Sequence, residues 1–156
     1  MSLDSVRAFF ATHAPDIAVM ELETSTATVA LAAAAHGVAP GQIAKTLSLK
    51  IGAQVFLVVA RGDLRLDNKK AKQAFGGKPR MLEADEVVAV TGHPVGGVCP
   101  FGLATAVPVY CDVSLKAFDE VLPAAGATNS AVRIAPGRMA ALVNATWVDV
   151  CTGPVP

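Results

Sequence analysis

The stretch Gln42-Ile43-Ala44-Lys45-Thr46-Leu47-Ser48-Leu49-Lys50-Ile51 decides how this chain is read. Its odd positions hold Ile43, Lys45, Leu47, Leu49 and Ile51, and its even positions hold Ala44, Thr46, Ser48 and Lys50. Successive side chains of a strand point to opposite faces. The pattern therefore predicts a strand over Ile43–Ile51 whose odd face is buried and whose even face is wet. Lys45 then shares a face with four aliphatic residues. An ammonium placed there needs a partner or a cavity, because an unpaired buried charge is costly. Snorkelling out at the strand's end is the structural alternative. The next run, Val55-Phe56-Leu57-Val58-Val59, is continuously apolar and suits a central strand covered on both sides. Gly52-Ala53 predicts the turn that joins the two.

Working outward, Ser2 followed by Leu3, Val6, Phe9 and Phe10 has a cap residue and helical spacing, with Pro15 ending the helix. Ile17–Leu22 reads as a short strand. Ser25 or Thr26 is expected to cap a second helix through Val29, Leu31 and the alanines 32–35, stopped by Gly37. Four consecutive alanines let another backbone come close, so this helix is expected to lie flat against a sheet. On the other side, Asp67 is placed to cap a helix over Asn68–Phe75, stopped by Gly76-Gly77, and Glu83–Val90 opens with acids at its positive end. Then follow a strand at Val107–Val113, a helix around Leu115–Leu122, a strand at Val132–Ala135, a helix at Pro136–Val143 and a strand at Thr146–Val150. Helices and strands mix without a strict βαβ rhythm, which favours α+β in one domain over residues 1–156.

Hydrophobic residues make up 53% of the chain and charged residues 17%, which excludes a disordered polyampholyte. Aromatics are only 5%, so the core is built from Ala, Val and Leu. Thirteen basic and thirteen acidic residues cancel, which excludes a uniformly basic coat. Charge is nevertheless uneven: the segment Arg61–Arg80 holds seven bases against two acids. Lys69, Lys70 and Lys72 there suit a polyanion such as an RNA backbone, with a solvated helix face as the bland alternative. Without aromatics to stack bases, contact would be with phosphate. Cys99, Cys111 and Cys151 are odd in number and lack CxxC spacing, so no disulfide framework or cysteine zinc site is expected, and a reducing cytoplasm is. Met1–His13 has no long apolar run, so no secretory signal is expected, and the apolar stretch Thr28–Ala35 is too short to span a bilayer. Nothing resembles a metal-ligand cluster, and no metal or cofactor is expected.

Gly92-His93-Pro94-Val95-Gly96-Gly97-Val98-Cys99-Pro100-Phe101-Gly102 packs four glycines and two prolines into eleven residues. Such a loop can bring its backbone close to a ligand, and its free amide groups can serve as an oxyanion hole. A structural turn is the alternative. The segment lacks the GK[ST] of a Walker A loop and the GxGxxG fingerprint. Cys99 with His93 raises a thiol nucleophile and base; a small side chain filling the loop is the other reading. His13 and His36 lie at expected helix ends, where surface histidines are commonplace.

Together, Thr26-Ala27-Thr28-Val29-Ala30 through Gly37-Val38, Gln42–Leu47, Gly92–Gly102, and Val132–Pro136 through Ala145–Val150 resemble the YbaK family of aminoacyl-tRNA deacylases. That family is also seen as the editing insertion of bacterial prolyl-tRNA synthetases. The resemblance implies a mixed, strongly curved sheet, a partly open barrel, flanked by helices. It implies hydrolysis of the ester joining a wrong, small amino acid to tRNA, with proline tRNA leading. Lys45, Gly96 and Gly97 would be catalytic, with the glycine amides facing the oxyanion. Thr46, Val98, Cys99, Pro100, Phe101 and Asn129 would touch substrate, with Ser130 nearby, and Lys69, Lys70 and Lys72 would touch tRNA. Many relatives carry serine at the position of Cys99, which argues against a thiol nucleophile. Partners implied are mischarged tRNA and prolyl-tRNA synthetase, with neither membrane nor DNA. With no synthetase body in this chain, editing would act in trans. The need is physical: one synthetase pocket separates side chains differing by one methylene by only about 1–3 kcal/mol, so a second sieve is required. A non-catalytic tRNA- or synthetase-binding module on the same fold is the alternative.

Overall fold

In the computed structural model, which describes residues 2–154, Ile43–Ile51 is a strand over its whole predicted length. It pairs antiparallel with Gln54–Arg61 in the register Lys45–Ala60, Thr46–Val59, Ser48–Leu57 and Leu49–Phe56. Around this hairpin the elements run α1 (Ser2–His13), β1 (Met20–Glu21), α2 (Val29–His36), β2 (Ile43–Ile51), β3 (Gln54–Arg61) and β4 (Leu64–Leu66). They continue with α3 (Asn68–Phe75), β5 (Arg80–Met81), α4 (Ala84–Thr91), β6 (Val109–Asp112) and β7 (Leu122–Pro123). The chain ends with β8 (Ser130–Ala131), α5 (Pro136–Leu142), β9 (Thr146–Val148) and β10 (Cys151–Pro154). The main sheet is ordered β5-β2-β3-β6-β9, with β7 added to β2, and two ribbons, β1-β8 and β4-β10, flank it. β2 is antiparallel to β3 and β5, whereas the β3-β6 and β6-β9 pairs are parallel. The fold is thus mixed α+β. The strand path stops at β5 and β9, so the sheet is open.

Both faces of β2 are covered, which corrects the expectation of a wet even face. Ala44 and Ser48 are 2% and 3% exposed. Ala44, together with Val59 and Leu57 opposite Thr46 and Ser48, belongs to the main core with Val6, Phe10, Phe101, Leu115, Ile134 and Met139. On the odd face, Leu49 packs with Phe56, Val58, Ala60, Val150 and Cys151, with Leu47, Leu64 and Phe75 around them. Lys50 escapes burial by pairing with Glu86 of α4 at 2.7 Å.

Caps fix the helices nearest the sheet. Thr28 caps α2, its hydroxyl accepting from the Leu31 N–H at 3.1 Å. The expected caps are engaged elsewhere: Ser25 accepts from the Ala27 N–H, and Thr26 gives its N–H to the Thr128 carbonyl at 2.7 Å. Ala32 and Ala33 of α2 lie against Ile43 and Leu122, as their small size allows. Asp67 caps α3 through the Lys70 N–H at 2.9 Å, and Glu83 with Glu86 forms a capping box on α4.

In the C-terminal third, α5 and β9 form where expected, and two other segments depart from expectation. Only Val113–Ala117 coils, as a 3-10 turn opened by Asp112, because Leu122-Pro123 is drawn into β7 beside Ile43 and Ala44. The strand expected at Val132–Ala135 lies earlier, at Ser130–Ala131 against β1, and Ile134 makes a single bridge to Val121. Among the described residues no helix is long and apolar enough to cross a membrane.

Candidate functional site

The even face of β2, one face of α2, the start of α4 and the glycine–proline loop enclose a cavity of about 370 Å³. Its wall includes Ala27, Val29, Ala32 and His36 from the α2 side, and Ala44, Lys45, Thr46 and Ser48 from β2. Leu82, Val87, Val95, Gly96, Val98, Leu122, Ser130 and Ala131 complete it. This size suits a small ligand held in a mostly apolar cleft with few polar groups.

The loop is held on both flanks by close backbone contact. Gly96 has φ 91°, and a Cβ there would stand 2.9 Å from the Ala27 Cβ. A Cβ on Gly97 would stand 2.8 Å from backbone atoms of Ala127. Only glycine satisfies both conditions at Gly96. The Gly97 N–H donates to the Pro94 carbonyl at 2.9 Å, closing a turn, and the Gly97 carbonyl accepts from the Gly126 N–H at 3.0 Å. The Gly97 amide is therefore committed within the loop. Among the described residues the N–H groups of Gly96 and Val98 have no protein acceptor, and both residues line the cavity.

The side chains nominated from sequence separate into two groups. Lys45, Thr46, Gly96 and Val98 come together on the cavity wall. Gly97, Cys99, Pro100, Phe101 and Asn129 do not belong to that wall. Phe101 is fully buried and packs its ring against Phe10, 4.7 Å between centroids, anchoring the loop to the core. The Asn129 amide donates to the Leu22 carbonyl at 2.8 Å and ties β8 to β1, whereas its neighbour Ser130 reaches the cavity. Thr46 Oγ1 is buried with no hydrogen-bond partner among the described residues.

Lys45 has a double allegiance. Alternation sends it out on the Leu47–Leu49 side of β2, and its ammonium donates to the Leu64 carbonyl of β4, a residue outside the cavity wall. Burial holds the ammonium below the usual lysine range, against the opposing influence of Cys151 and Asp63.

Cys99 is unsuited to nucleophilic work. Burial pushes its thiol up to about 12, so the thiolate is absent at neutral pH. His93 stands 3.6 Å from the sulfur, but its Nε2 is 2.7 Å from the Phe101 carbonyl. A carbonyl only accepts, so Nε2 carries the proton and cannot take one from the thiol. Burial also holds the imidazole below its usual range, and Nδ1 is buried without a partner among the described residues.

The basic helix lies elsewhere. Phe75 of α3 packs on Phe56 and Tyr110, on the odd face of the sheet, so Lys69, Lys70 and Lys72 sit across the sheet from the cavity. Lys70 is tethered to Asp149 at 3.1 Å and to the Cys151 carbonyl at 3.0 Å, whereas Lys69 and Lys72 are exposed.

Sequence reasoning missed His36. It closes the face of α2 that lines the cavity, following Val29 and Ala32 at helical spacing. That spacing was the available signal. Its Nε2 is buried without a partner among the described residues. Burial first, and then the Arg133 charge, keep the ring below the usual histidine range. Among the described residues no group of three or more His, Cys, Asp or Glu is placed to hold a metal ion.

Comparison with known proteins identifies the family. Residues 23–142 match the aminoacyl-tRNA editing domain family. The uncharacterized protein YwhH of Bacillus subtilis strain 168 is 50% identical over 153 residues, covering 97% of this chain and 98% of its own. EbsC of Enterococcus faecalis, named for a proposed Cys-tRNA(Pro)/Cys-tRNA(Cys) deacylase activity, is 30% identical over 119 residues, covering 74% of this chain and 72% of its own. A crystal structure described as a proposed trans-editing enzyme for prolyl-tRNA synthetase superposes with a TM-score of 0.90 at 35% identity, covering 97% of this chain and 98% of that one. With its cavity bounded by Lys45 and the glycine–proline loop, the chain belongs to the YbaK-like aminoacyl-tRNA editing domain family.

Proposed function

We propose that this protein is a trans-acting hydrolase that removes a small, wrongly attached amino acid from tRNA, with proline tRNA the leading substrate and prolyl-tRNA synthetase the associated partner. The observation that carries the reading is the pair of uncommitted amides, Gly96 and Val98, on the wall of a cavity that also holds Lys45 and Thr46. An aminoacyl ester is already activated, so a positioned water and oriented donors suffice without a Ser-His-Asp triad. The water oxygen attacks the ester carbonyl carbon, and the carbonyl oxygen takes the negative charge facing the Gly96 and Val98 N–H groups. Collapse breaks the bond to the ribose oxygen, which leaves with the proton the water gives up, relayed by the vicinal ribose hydroxyl. Free amino acid and uncharged tRNA result. Removing one oxyanion donor of this kind typically costs about 10²–10³ in rate.

In this mechanism Lys45 contacts the substrate's end, and its ammonium does so only by leaving the Leu64 carbonyl. The Thr46 hydroxyl, unpartnered in the free protein, hydrogen-bonds the substrate. Lys69 and Lys72 hold phosphates of a tRNA that extends past the cavity to the other side of the sheet. The test is a deacylation panel: purified protein with alanyl-, cysteinyl- and seryl-tRNA(Pro), measuring release of amino acid. Release at least tenfold above the buffer rate for one substrate is expected. Buffer-limited release throughout would leave a non-catalytic tRNA-binding module.

A further inference from the structure

The cavity wall carries an unpartnered polar side chain that the catalytic reading does not use. Its wall along α2 is Val29, Ala32 and His36, two helical turns that begin beside the Gly96 loop, since Ala27 touches Gly96. Val29 to His36 is about 10 Å along the axis, and helical side chains lean back toward the N-terminus. One turn before His36 on the same face, Ala32 carries only a methyl group, which leaves room beside the imidazole. His36 shares the cavity wall with Ala32, Ile43 and Leu122, the Arg133 charge acts on it without being able to accept a hydrogen bond, and Nε2 has no partner among the described residues. A polar atom left bare among aliphatic groups costs stability unless something else completes it.

We propose that His36 determines substrate specificity by hydrogen-bonding the side chain of the amino acid being removed, and that this side chain carries a hydroxyl. A hydroxyl answers either tautomer of the ring, because it both donates and accepts, whereas a thiol does so weakly and a methyl not at all. The order of preference is therefore seryl or threonyl, then cysteinyl, then alanyl. This inference rests on the deacylase reading for its substrate class, and on the cavity alone for the role of His36.

Two measurements separate the claims. The first is kcat/KM for seryl- and alanyl-tRNA(Pro) with the intact protein, His36→Leu and His36→Gln. The second is the affinity of the non-hydrolysable probes 3'-seryl-amido- and 3'-alanyl-amido-3'-deoxyadenosine for the same three proteins. The seryl-to-alanyl ratio is expected to fall about tenfold or more in His36→Leu, in both rate and binding, and to be partly restored in His36→Gln, which keeps a hydrogen-bonding group. A ratio unchanged by His36→Leu, with the variant folded by thermal melt, overturns the proposal. So does an equal loss for both substrates, which would assign His36 to the nucleoside. If nothing is hydrolysed but the seryl probe binds selectively through His36, the hydrolase reading fails and the recognition role stands.

Discussion

Thr46 and His93 show how single side chains divide between binding and scaffold. The Thr46 hydroxyl has no partner in the free protein, so Thr46→Val removes an uncompensated polar atom. Stability by chemical denaturation should hold or rise by up to about 1 kcal/mol, while deacylation slows about tenfold. A loss of stability matching the loss of activity would make Thr46 a packing residue. His93 is buried neutral, its folded pKa lowered by burial. For a base shifted this way the unfolded chain binds the proton more readily. The His93 contribution to stability is therefore complete above the unfolded value, about pH 6.5, and is lost as pH falls from there through the lower folded value. Denaturation midpoints measured between about pH 5 and pH 8 should fall on the acid side, and His93→Gln should flatten that limb. An unchanged limb would mean that His93 does not report the acid response. His36 shifts in the same direction and adds to the slope, so the His93 variant flattens it without abolishing it.

Among the elements, the glycine–proline loop is the one whose shape cannot vary. Gly96→Ala meets both a φ of 91° and the Ala27 Cβ at 2.9 Å. It should destabilise by about 1–3 kcal/mol and lower kcat by about 10²-fold or more through displacement of the donors. A variant with wild-type kcat would remove this loop from the chemistry. Much at this scale was legible beforehand. The β2-β3 hairpin, the Asp67 cap of α3 and the stop of α2 at Gly37 follow from local chemistry. What was not legible depends on long-range pairing. Leu115–Leu122 has helical character but yields to β7, where Leu122 is buried beside Ile43. The short strands β4, β5 and β10 exist only as partners of other strands. The site shows the same division. Lys45, Thr46 and the loop were visible as motifs, whereas the commitment of the Gly97 amide to Pro94 and the bare imidazole of His36 required coordinates.

Across the whole molecule, the sheet separates two surfaces. The cavity opens on the even face of β2, and the lysines of α3 lie beyond the odd face. If tRNA spans both, Lys69→Ala with Lys72→Ala should weaken tRNA affinity and lower the slope of log affinity against log salt by about 1 for each phosphate no longer neutralised. Hydrolysis of a short aminoacyl-adenosine ester, which cannot reach α3, should be unaffected. An unchanged tRNA affinity and salt slope would return those lysines to an ordinary solvated surface.

Lys45 links the two sides, since it lines the cavity while its ammonium rests on the Leu64 carbonyl. The most direct measurement is single-turnover release of the amino acid from mischarged tRNA(Pro), comparing the intact protein with Lys45→Ala after confirming equal thermal stability. Release well above the buffer rate, reduced at least about 10²-fold in the variant, is the predicted result. Identical rates for the two proteins, both limited by the buffer, would contradict it.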